Sequence, residues 1–429
     1  MRMKFNKKSQ LLLVSAASLL AASLVTACGT LTVDFVFVTS ATAAGTNNYG
    51  EIDVFEINSE SGYMRQIPTS PFPSGGRTPV AETLSTDNST LYVVNKDDNS
   101  IVQFTIGNDG KVYPQHTVNT PGIFPLGVTV SGNNLFVIDT YKPLPSCSNA
   151  APCSGSVGVM PLATSSDTAY QLDQIKGNTA NGTLSYWPLC LNGYSQASDS
   201  TYSCATTESH VVTPTGVAAV SKTLSSSSSS SSAITSLLFV TAYDSTANNG
   251  YLYGFSVGTD GALAPLSARP LLISAGADPT ALVGDNSGNY LYVTDAASGN
   301  VLSYAISSSG TLSAVGSYAS GAAPSAITMD PSANWVYVTN RTDSTIVAFS
   351  ASNGVLTRLA SQATGSEPVA VGVDPSHRHF VFTVNYLGSS LSGYGINTDG
   401  TLFGSQNSPY TTNTLPTAAV AIPHGGVVK

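Results

Sequence analysis

The sequence predicts an all-β protein, a seven-bladed β-propeller with four antiparallel strands per blade, and three observations lead to this fold. An aromatic residue opens a short β-branched tetrad seven times along the chain. Seven prolines, each followed by Val, Leu, Thr or Ser and then Ala or Gly, recur in step with the tetrads. The first tetrad lacks a proline strand before it, and the last proline strand lacks a tetrad after it.

Each repeat unit contains the material for four strands. The tetrads occupy residues 37–40, 92–95, 136–139, 239–242, 292–295, 337–340 and 382–385. The prolines are Pro79, Pro125, Pro214, Pro279, Pro324, Pro368 and Pro416. In the most regular unit, residues 325–330 alternate apolar side chains, 331–334 carry turn residues, and 335–339 form a dense β-branched and aromatic run. A third strand is expected at residues 345–350, and a fourth at residues 355–360, after the Asn353-Gly354 turn.

The terminal pieces predict how the ring closes. Residues 416–422 are expected to pair with residues 35–39 and complete one blade from both ends of the chain. An open stack of β-meanders, the alternative, would leave two sheet edges unpaired. One domain spanning residues 34–423 is therefore predicted, followed by a short tail at 424–429.

Residues 1–27 are expected to be a signal peptide, because four basic residues precede an uncharged apolar run from Leu11. Residues 24–28, Leu-Val-Thr-Ala-Cys, resemble a bacterial lipobox. That resemblance implies lipidation of Cys28, which would become the mature N-terminus on a tether of residues 28–33. An ordinary cleavage site with a free Cys28 is the alternative. With Gly29 next to the cysteine, sorting to the outer membrane is implied, facing the periplasm or the cell surface.

The charge balance restricts the partners. Without residues 1–27 the chain keeps 12 basic and 25 acidic residues, a net charge of −13. An acidic surface disfavours nucleic acid and anionic lipid headgroups. We expect a monomer that needs no cofactor or metal and contacts the membrane through lipidated Cys28.

The repeats resemble a known family. Tyr337-Val338-Thr339-Asn340 resembles the Tyr-Val-Thr-Asn propeller repeat, and turns such as Asp109-Gly110 and Asp399-Gly400 resemble those of bacterial 6-phosphogluconolactonase-type lactonases. The resemblance covers residues 34–423 and implies a lactone hydrolase fold. Family members that are enzymes carry Arg and His directly after an early proline. Here the equivalent pairs are Val80-Ala81 and Leu126-Gly127.

Two insertions interrupt the repeat. The stretch 141–213 carries one cysteine pair in each of its two parts, Cys147 with Cys153 and Cys190 with Cys204. Local disulfides are expected in an exported protein, although four cysteines allow three pairings. The loops either cap the channel or lie flat on a neighbouring blade. The second insertion, 222–234, contains eight consecutive serines and is expected to be a solvated loop on the opposite face.

Loops that enter the innermost strand or leave the second strand share one face of a propeller, the mouth of the central channel. The charged residues expected there are Arg77, Lys96, Asp97, Asp98, Asp139, Lys142, His210, Asp244, Asp278, Asp295, Arg341 and Glu367. Lactone hydrolysis needs a base for water and a cation or donor for the oxyanion. Asp139 or Glu367 is the candidate base, Arg341 or Lys96 the candidate oxyanion partner, and His210 is expected to reach in from the insertion.

Two functions remain open from the sequence. The favoured hypothesis is an envelope-tethered scaffold that binds a small molecule, glycan or protein at the channel mouth. The alternative is a lactone hydrolase with rearranged catalytic groups. The missing Arg-His pair separates the two, since the repeat residues themselves are scaffold.

Overall fold

The computed structural model describes residues 32–58, 61–142, 153–165, 168–172, 186–196, 202–206, 208, 210–224, 233–258, 261–331, 334–375 and 380–423. These residues form an all-β, seven-bladed propeller, as predicted. The expected signal peptide, Cys28, Cys147, the eight-serine run and the tail at 424–429 lie outside the described residues. In the described part of the chain, no helix is long and apolar enough to cross a membrane.

The blades are numbered from the first complete one, and their strands are given from the channel outward. Blade 1 contains Pro79–Leu84, Thr90–Asn95, Ser100–Ile106 and Val112–Asn119. Blade 2 contains Ile123–Ser131, Asn134–Tyr141 and Ser156–Ser165, with Thr168–Leu172 and Tyr186–Pro188 both paired to the third strand. Blade 3 contains Thr213–Leu224, Ala233–Asp244 and Asn249–Val257, with Leu263–Pro265 and Leu271–Ala275 as a split outer strand.

The remaining blades follow the same order. Blade 4 contains Pro279–Gly284, Tyr290–Asp295, Asn300–Ile306 and Leu312–Ala319. Blade 5 contains Pro324–Met329, Trp335–Asn340, Thr345–Ser352 and Val355–Ala363. Blade 6 contains Pro368–Val373, Phe380–Asn385 and Ser390–Ile396, with Leu402–Gly404 and Tyr410–Thr411 as its split outer strand. Blade 7 contains Pro416–Pro423, Thr32–Ala44 and Tyr49–Asn58, with Met64–Gln66 and Phe72–Pro73 outermost.

The ring closes as the sequence predicts. In blade 7 the last strand pairs antiparallel with the first, and the register aligns Phe35 with Ile422 and Thr39 with Ala418. The seven innermost strands contact one another in sequence around the channel, and the last of them contacts Pro79–Leu84 again. The pairing thus removes the two edges that an open stack would expose.

The hydrophobic core is divided into seven clusters, one between each pair of adjacent blades. The aromatic residue of every tetrad is buried in one of these clusters, with at most 1% of its surface exposed. These residues are Phe37, Tyr92, Phe136, Phe239, Tyr292, Tyr337 and Phe382. The tetrads therefore hold neighbouring blades together, which explains why the repeat is so regular at this position.

Candidate functional site

The residues after the seven prolines serve the scaffold. Where this residue carries a hydroxyl, the hydroxyl bonds within its blade and, in three blades, to the proline carbonyl of the next blade. The three bonds between blades run from Thr280 Oγ1 to Pro324 O at 2.7 Å, from Ser325 Oγ to Pro368 O at 2.7 Å, and from Thr417 Oγ1 to Pro79 O at 2.8 Å. The positions that would carry the Arg-His pair therefore tie the ring together or hold aliphatic residues.

Arg341 and Glu367 meet at the channel mouth. Arg341 follows the second strand of blade 5, Glu367 precedes the innermost strand of blade 6, and Arg341 Nη2 donates to Glu367 Oε2 at 2.8 Å. Half of the Arg341 side chain and 31% of the Glu367 side chain are exposed. This predicted base and this predicted oxyanion partner are thus brought together, and each neutralises the other.

Lys96 lies at the same level in blade 1. Its backbone N donates to the carbonyl of Thr78 at 2.9 Å, which places it at the rim of the channel. Beside it, Arg77 forms an ion pair with Asp98 at 2.6 Å. Among the described residues, no hydrogen bond or ion pair joins Lys96 to the Arg341–Glu367 pair.

Asp139 is buried beneath the mouth rather than displayed on it. Its side chain is fully buried, and Oδ2 accepts a hydrogen bond from the backbone N of Gly122 at 3.0 Å. Within the described residues, Oδ1 has no hydrogen-bond partner. Burial raises the pKa of Asp139 to about 8, and hydrogen bonds from the Gly122 backbone and the Thr120 side chain only partly offset that rise. Asp139 occupies the tetrad position that Asn95, Asn340 and Asn385 hold in other blades.

His210 and Asp244 form a polar pair in blade 3, next to the 141–213 insertion. His210 lies in the segment that enters the innermost strand of blade 3, and Asp244 ends the second strand of that blade. The distance from His210 Nδ1 to Asp244 Oδ2 is 3.0 Å. Asp244 is fully buried, whereas 38% of the His210 side chain is exposed. The buried carboxylate therefore orients an imidazole whose other nitrogen can face solvent.

The other oxygen of Asp244 fixes the carboxylate in place. Oδ1 accepts hydrogen bonds from the backbone N of Thr246 at 2.9 Å and of Ala247 at 3.0 Å. Asp244 lies two residues beyond the tetrad, since Ala242 occupies the scaffold position opposite Pro214. Blade 3 thus extends its second strand past the repeat, and this extension supplies the partner of His210.

A cavity of about 750 Å³ opens beside His210. Its charged lining residues are Lys142, Glu208 and His210, and Ser154 and Ser203 add hydroxyl groups. Glu208 is fixed by Asn192, whose backbone N and Nδ2 both donate to its carboxylate at 3.2 Å. The lining therefore includes one cation, one carboxylate held by Asn192 and one imidazole oriented by Asp244.

The described part of the 141–213 insertion lies flat between blades 2 and 3. Trp187 and Leu189 are buried in the core cluster that these blades share, and Tyr194 packs edge-on against Phe255 with ring centres 6.1 Å apart. For the described residues these contacts correspond to the flat arrangement, and these residues form one wall of the cavity. The parts of the insertion at 143–152, 173–185 and 197–201 lie outside the described residues.

Cys190 and Cys204 form a disulfide, the local pairing expected from the sequence. Cys153 is also disulfide-bonded, and both Cys153 and Cys204 line the cavity. Cys190, Cys204 and Glu208 lie close enough to suggest a metal site. Their disulfide removes the thiolates that a metal would need, so this cluster does not fit a metal ion.

Among the described residues, hydrogen bonds and ion pairs join Arg341 to Glu367 but do not link the other three predicted catalytic residues to that pair or to one another. Arg341 pairs with Glu367, His210 pairs with Asp244, Asp139 is buried, and Lys96 stands at the rim of blade 1. The sequence placed Asp244 and Lys142 at the mouth but could not pair Asp244 with His210, and it did not single out Glu208. The available signal was the strand that continues past Ala242 beside an inserted segment.

Comparison with known proteins agrees with the fold. A family model described as a lactonase, 7-bladed beta-propeller, matches residues 46–141 and 293–419. Among solved structures, a putative 6-phosphogluconolactonase from Bacteroides fragilis is 16% identical, with a TM-score of 0.64 over 92% of this chain and 99% of that chain. The periplasmic gluconolactonase of Pseudomonas aeruginosa is 18% identical, with a TM-score of 0.62 over 91% of this chain and 99% of that chain. No curated protein matches.

These likenesses to solved structures concern the fold alone, because the identities are low. The family match stops at residue 141 and resumes at residue 293. The His210 cavity therefore lies in the stretch where this chain departs from the family pattern.

Proposed function

Because the chain belongs to the lactonase family of seven-bladed β-propellers, we propose that it hydrolyses a lactone, with His210 as general base in the cavity beside blade 3. The observation that carries this proposal is the 3.0 Å contact between His210 Nδ1 and Asp244 Oδ2 at the edge of a polar cavity. The activities named for the two solved neighbours make sugar-acid lactones the first substrates to test.

The carboxylate of Asp244 determines which nitrogen of His210 is available. Two backbone N–H groups donate to Oδ1 and fix the carboxylate, and in the proposed mechanism Oδ2 accepts the hydrogen of His210 Nδ1. Nε2 is then the unprotonated nitrogen, able to accept a proton from water. A buried carboxylate that fixes the tautomer and stabilises the imidazolium is the arrangement that general-base hydrolysis uses.

The reaction needs three events at this site. His210 Nε2 takes a proton from water while the water oxygen attacks the lactone carbonyl. The Lys142 ammonium, which lines the same cavity, offsets the negative charge that develops on the carbonyl oxygen. The ring C–O bond then breaks, and the departing ring oxygen receives the proton from His210, which leaves a hydroxy acid.

A panel of lactones assayed with the purified protein tests this proposal. His210→Ala should lower kcat/KM roughly 100-fold or more, because general-base catalysis is worth at least that much. Asp244→Asn should lower it as well, since the amide disturbs the tautomer of His210. His116→Ala is the matched control, because His116 is exposed on the outer strand of blade 1. Full activity of His210→Ala would refute the assignment.

The same assay separates the cavity from the channel mouth. An Arg341→Ala, Glu367→Ala double variant should retain turnover if the His210 cavity is the site. Loss of turnover in the double variant, with normal activity of His210→Ala, would instead place catalysis at the mouth.

A binding scaffold is the second candidate function. It is favoured because polar groups at the channel mouth bond to one another, which leaves fewer of them for catalysis there. The post-proline hydroxyls are used in bonds between blades, and Arg341 and Glu367 neutralise each other. In that case a small molecule, glycan or protein would bind without turnover. Saturable binding of a sugar acid with no hydrolysis of any lactone by the unmodified protein would favour this function over the first.

The proposed setting is the cell envelope, with the propeller tethered through lipidated Cys28. The support is the lipobox-like sequence at residues 24–28. Metabolic labelling with a fatty-acid analogue should mark the unmodified protein and leave a Cys28→Ser variant unlabelled. Equal labelling of both proteins would contradict the tether.

A further inference from the structure

A second, apolar cavity of about 210 Å³ lies between blades 3 and 4, away from the His210 cavity. Its walls include Phe239, Leu252, Leu266, Leu271 and Leu312. Arg269 also lines the cavity and is exposed at its rim. An apolar space with one cation at its opening has the character of a site for an amphipathic anion.

The cavity has an identifiable structural origin. Four blades have an outer strand in two pieces, and in each the second piece pairs at the same register with the third strand. The equivalent pairs are Ile52 with Phe72 in blade 7, Leu391 with Tyr410 in blade 6, Val157 with Trp187 in blade 2, and Leu252 with Leu271 in blade 3. In blade 3 alone of these four, the position opposite the third strand holds an aliphatic residue.

Aromatic residues fill this position in the other three blades, and Trp187 of blade 2 is buried in the core between blades 2 and 3. Phe72 packs against the core between blades 7 and 1, and Tyr410 is buried in the core between blades 6 and 7. The Tyr410 hydroxyl lies 3.5 Å from the carbonyl of Gly62, in a turn of the next blade. By contrast, 37% of Leu271 is exposed, and it leaves the space beside Gly310 of the next blade open.

Two glycines keep the cavity from being filled by its own walls. A Cβ at Gly254 would lie 3.1 Å from Leu266 Cδ1 and from Phe239 Cε1. Gly310 has a φ of +82°, which favours glycine, and a Cβ there would lie 3.0 Å from Leu266 Cδ1 and Cδ2. The cavity is therefore a feature of this backbone and does not depend on the position of one movable side chain.

The charge at the rim selects among apolar ligands. Among the described residues, the Arg269 guanidinium forms no hydrogen bond or ion pair with another side chain, so it is available to a carboxylate. Since a water molecule occupies about 30 Å³ in the liquid, the cavity holds roughly seven non-hydrogen atoms. We propose that this cavity binds a medium-chain aliphatic carboxylate, with the chain against Leu252, Leu266 and Leu312 and the carboxylate at Arg269.

Calorimetric titration of the whole protein with octanoate tests the proposal, with octan-1-ol and acetate as comparison ligands. Octanoate should bind saturably, octan-1-ol about tenfold more weakly and acetate not measurably, because each lacks one of the two contacts. Absence of saturable octanoate binding would overturn the proposal. Equal binding of octanoate and octan-1-ol would overturn it too, because the charge would then play no part.

Two variants locate the site. Arg269→Gln should weaken octanoate binding about tenfold and leave octan-1-ol binding unchanged. Leu271→Phe, which copies Phe72 of blade 7, should fill the cavity and remove binding of both ligands. Arg358→Gln, at an exposed arginine of blade 5, is the control and should bind octanoate normally. Normal octanoate binding by Arg269→Gln would refute the assignment, whatever the folding of Leu271→Phe.

Discussion

Blades 5 and 3 differ in what the residues at the end of the second strand do. In blade 5 they bond within the scaffold, and in blade 3 they orient a histidine at a cavity. In blade 5 the tetrad ends in Asn340, which accepts a hydrogen bond from Ser320 Oγ at 2.8 Å and donates one to Thr345 Oγ1 at 3.1 Å. In blade 3 the tetrad ends in Ala242, and the strand continues to Asp244, which holds His210. The polar side chain that ends the tetrad of blade 5 thus bonds to its neighbours in the scaffold. In blade 3, where the repeat changes, an imidazole is held through Nδ1 and its Nε2 remains for other contacts.

The same contrast appears in how the blades are packed. The outer part of the interface between blades 2 and 3 is built from the insertion, whose Trp187 and Leu189 enter the core. The interface between blades 4 and 5 is formed by their own strands. Inserted residues therefore replace regular strand contacts between blades 2 and 3, the rebuilt side of the ring, whereas blades 4 and 5, on the regular side, pack through their own strands.

The largest expected effect concerns Asp139 of blade 2, the acid at the position where blade 5 holds Asn340. Its pKa is about 8 in the folded protein against an ordinary value of 3.8, so between these pH values the folded state binds more protons than the unfolded chain. Stability therefore falls as pH rises from about 4 to 8. Asp139→Asn should remove this fall and raise the free energy of unfolding at pH 8 by a few kcal/mol, with an upper limit of about 6.

Chemical denaturation at several pH values measures this effect. The difference between the original protein and Asp139→Asn isolates Asp139, because burial also raises the pKa of Asp53, to about 6, and the pKa of Glu82, and both groups are present in each protein. The reciprocal variant, Asn340→Asp, should acquire the pH dependence that Asp139→Asn loses. Parallel stability curves for the original protein and Asp139→Asn would show that Asp139 is solvated or paired in solution.

A smaller effect is expected from the Cys190–Cys204 disulfide, which has no counterpart in blade 5. It closes a loop with a sequence separation of 14, and a loop of about this length is worth about 3 kcal/mol. The double variant Cys190→Ser, Cys204→Ser should unfold at a correspondingly lower urea concentration. An unchanged midpoint would mean that the packing of Trp187 and Tyr194 holds the insertion without the covalent bond.

The regular side of the molecule could be predicted from the sequence in detail. Repeated aromatic residues such as Tyr337 are buried at the same position in every blade, and the pairing of Phe35 with Ile422 follows from counting the units. The site could not be predicted in the same way. The contact between His210 and Asp244 joins an inserted segment to a strand 34 residues away, and no repeat relates the two.

Burial was the second quantity that the sequence did not reveal. The sequence places Asp139 at the end of a tetrad, on the rim of the mouth, yet Asp139 is as fully buried as Asn340 of blade 5, and Gly122 covers its carboxylate. The sequence likewise offered Arg341 and Glu367 as separate groups, although their strands place them within hydrogen-bonding distance. Charged residues at a predicted rim therefore give a set of candidates, and only the pairing among them shows which remain available for chemistry.

The smallest effect tests the ties between blades. Ser325 of blade 5 bonds to Thr339 Oγ1 at 2.9 Å and to the Pro368 carbonyl of blade 6, whereas Thr215 of blade 3 bonds to Thr241 at 3.0 Å. Ser325→Val, which introduces the residue that blades 1 and 6 carry, should cost about 1 kcal/mol in unfolding free energy. Thr215→Val should cost less, because the Thr215 hydroxyl bonds to Thr241 within its own blade and, among the described residues, not to the proline carbonyl of the next blade. Equal losses of unfolding free energy in thermal denaturation would show that the bond within a blade contributes more than the bond between blades. Blades 3 and 5 would then be stabilised equally by this hydroxyl.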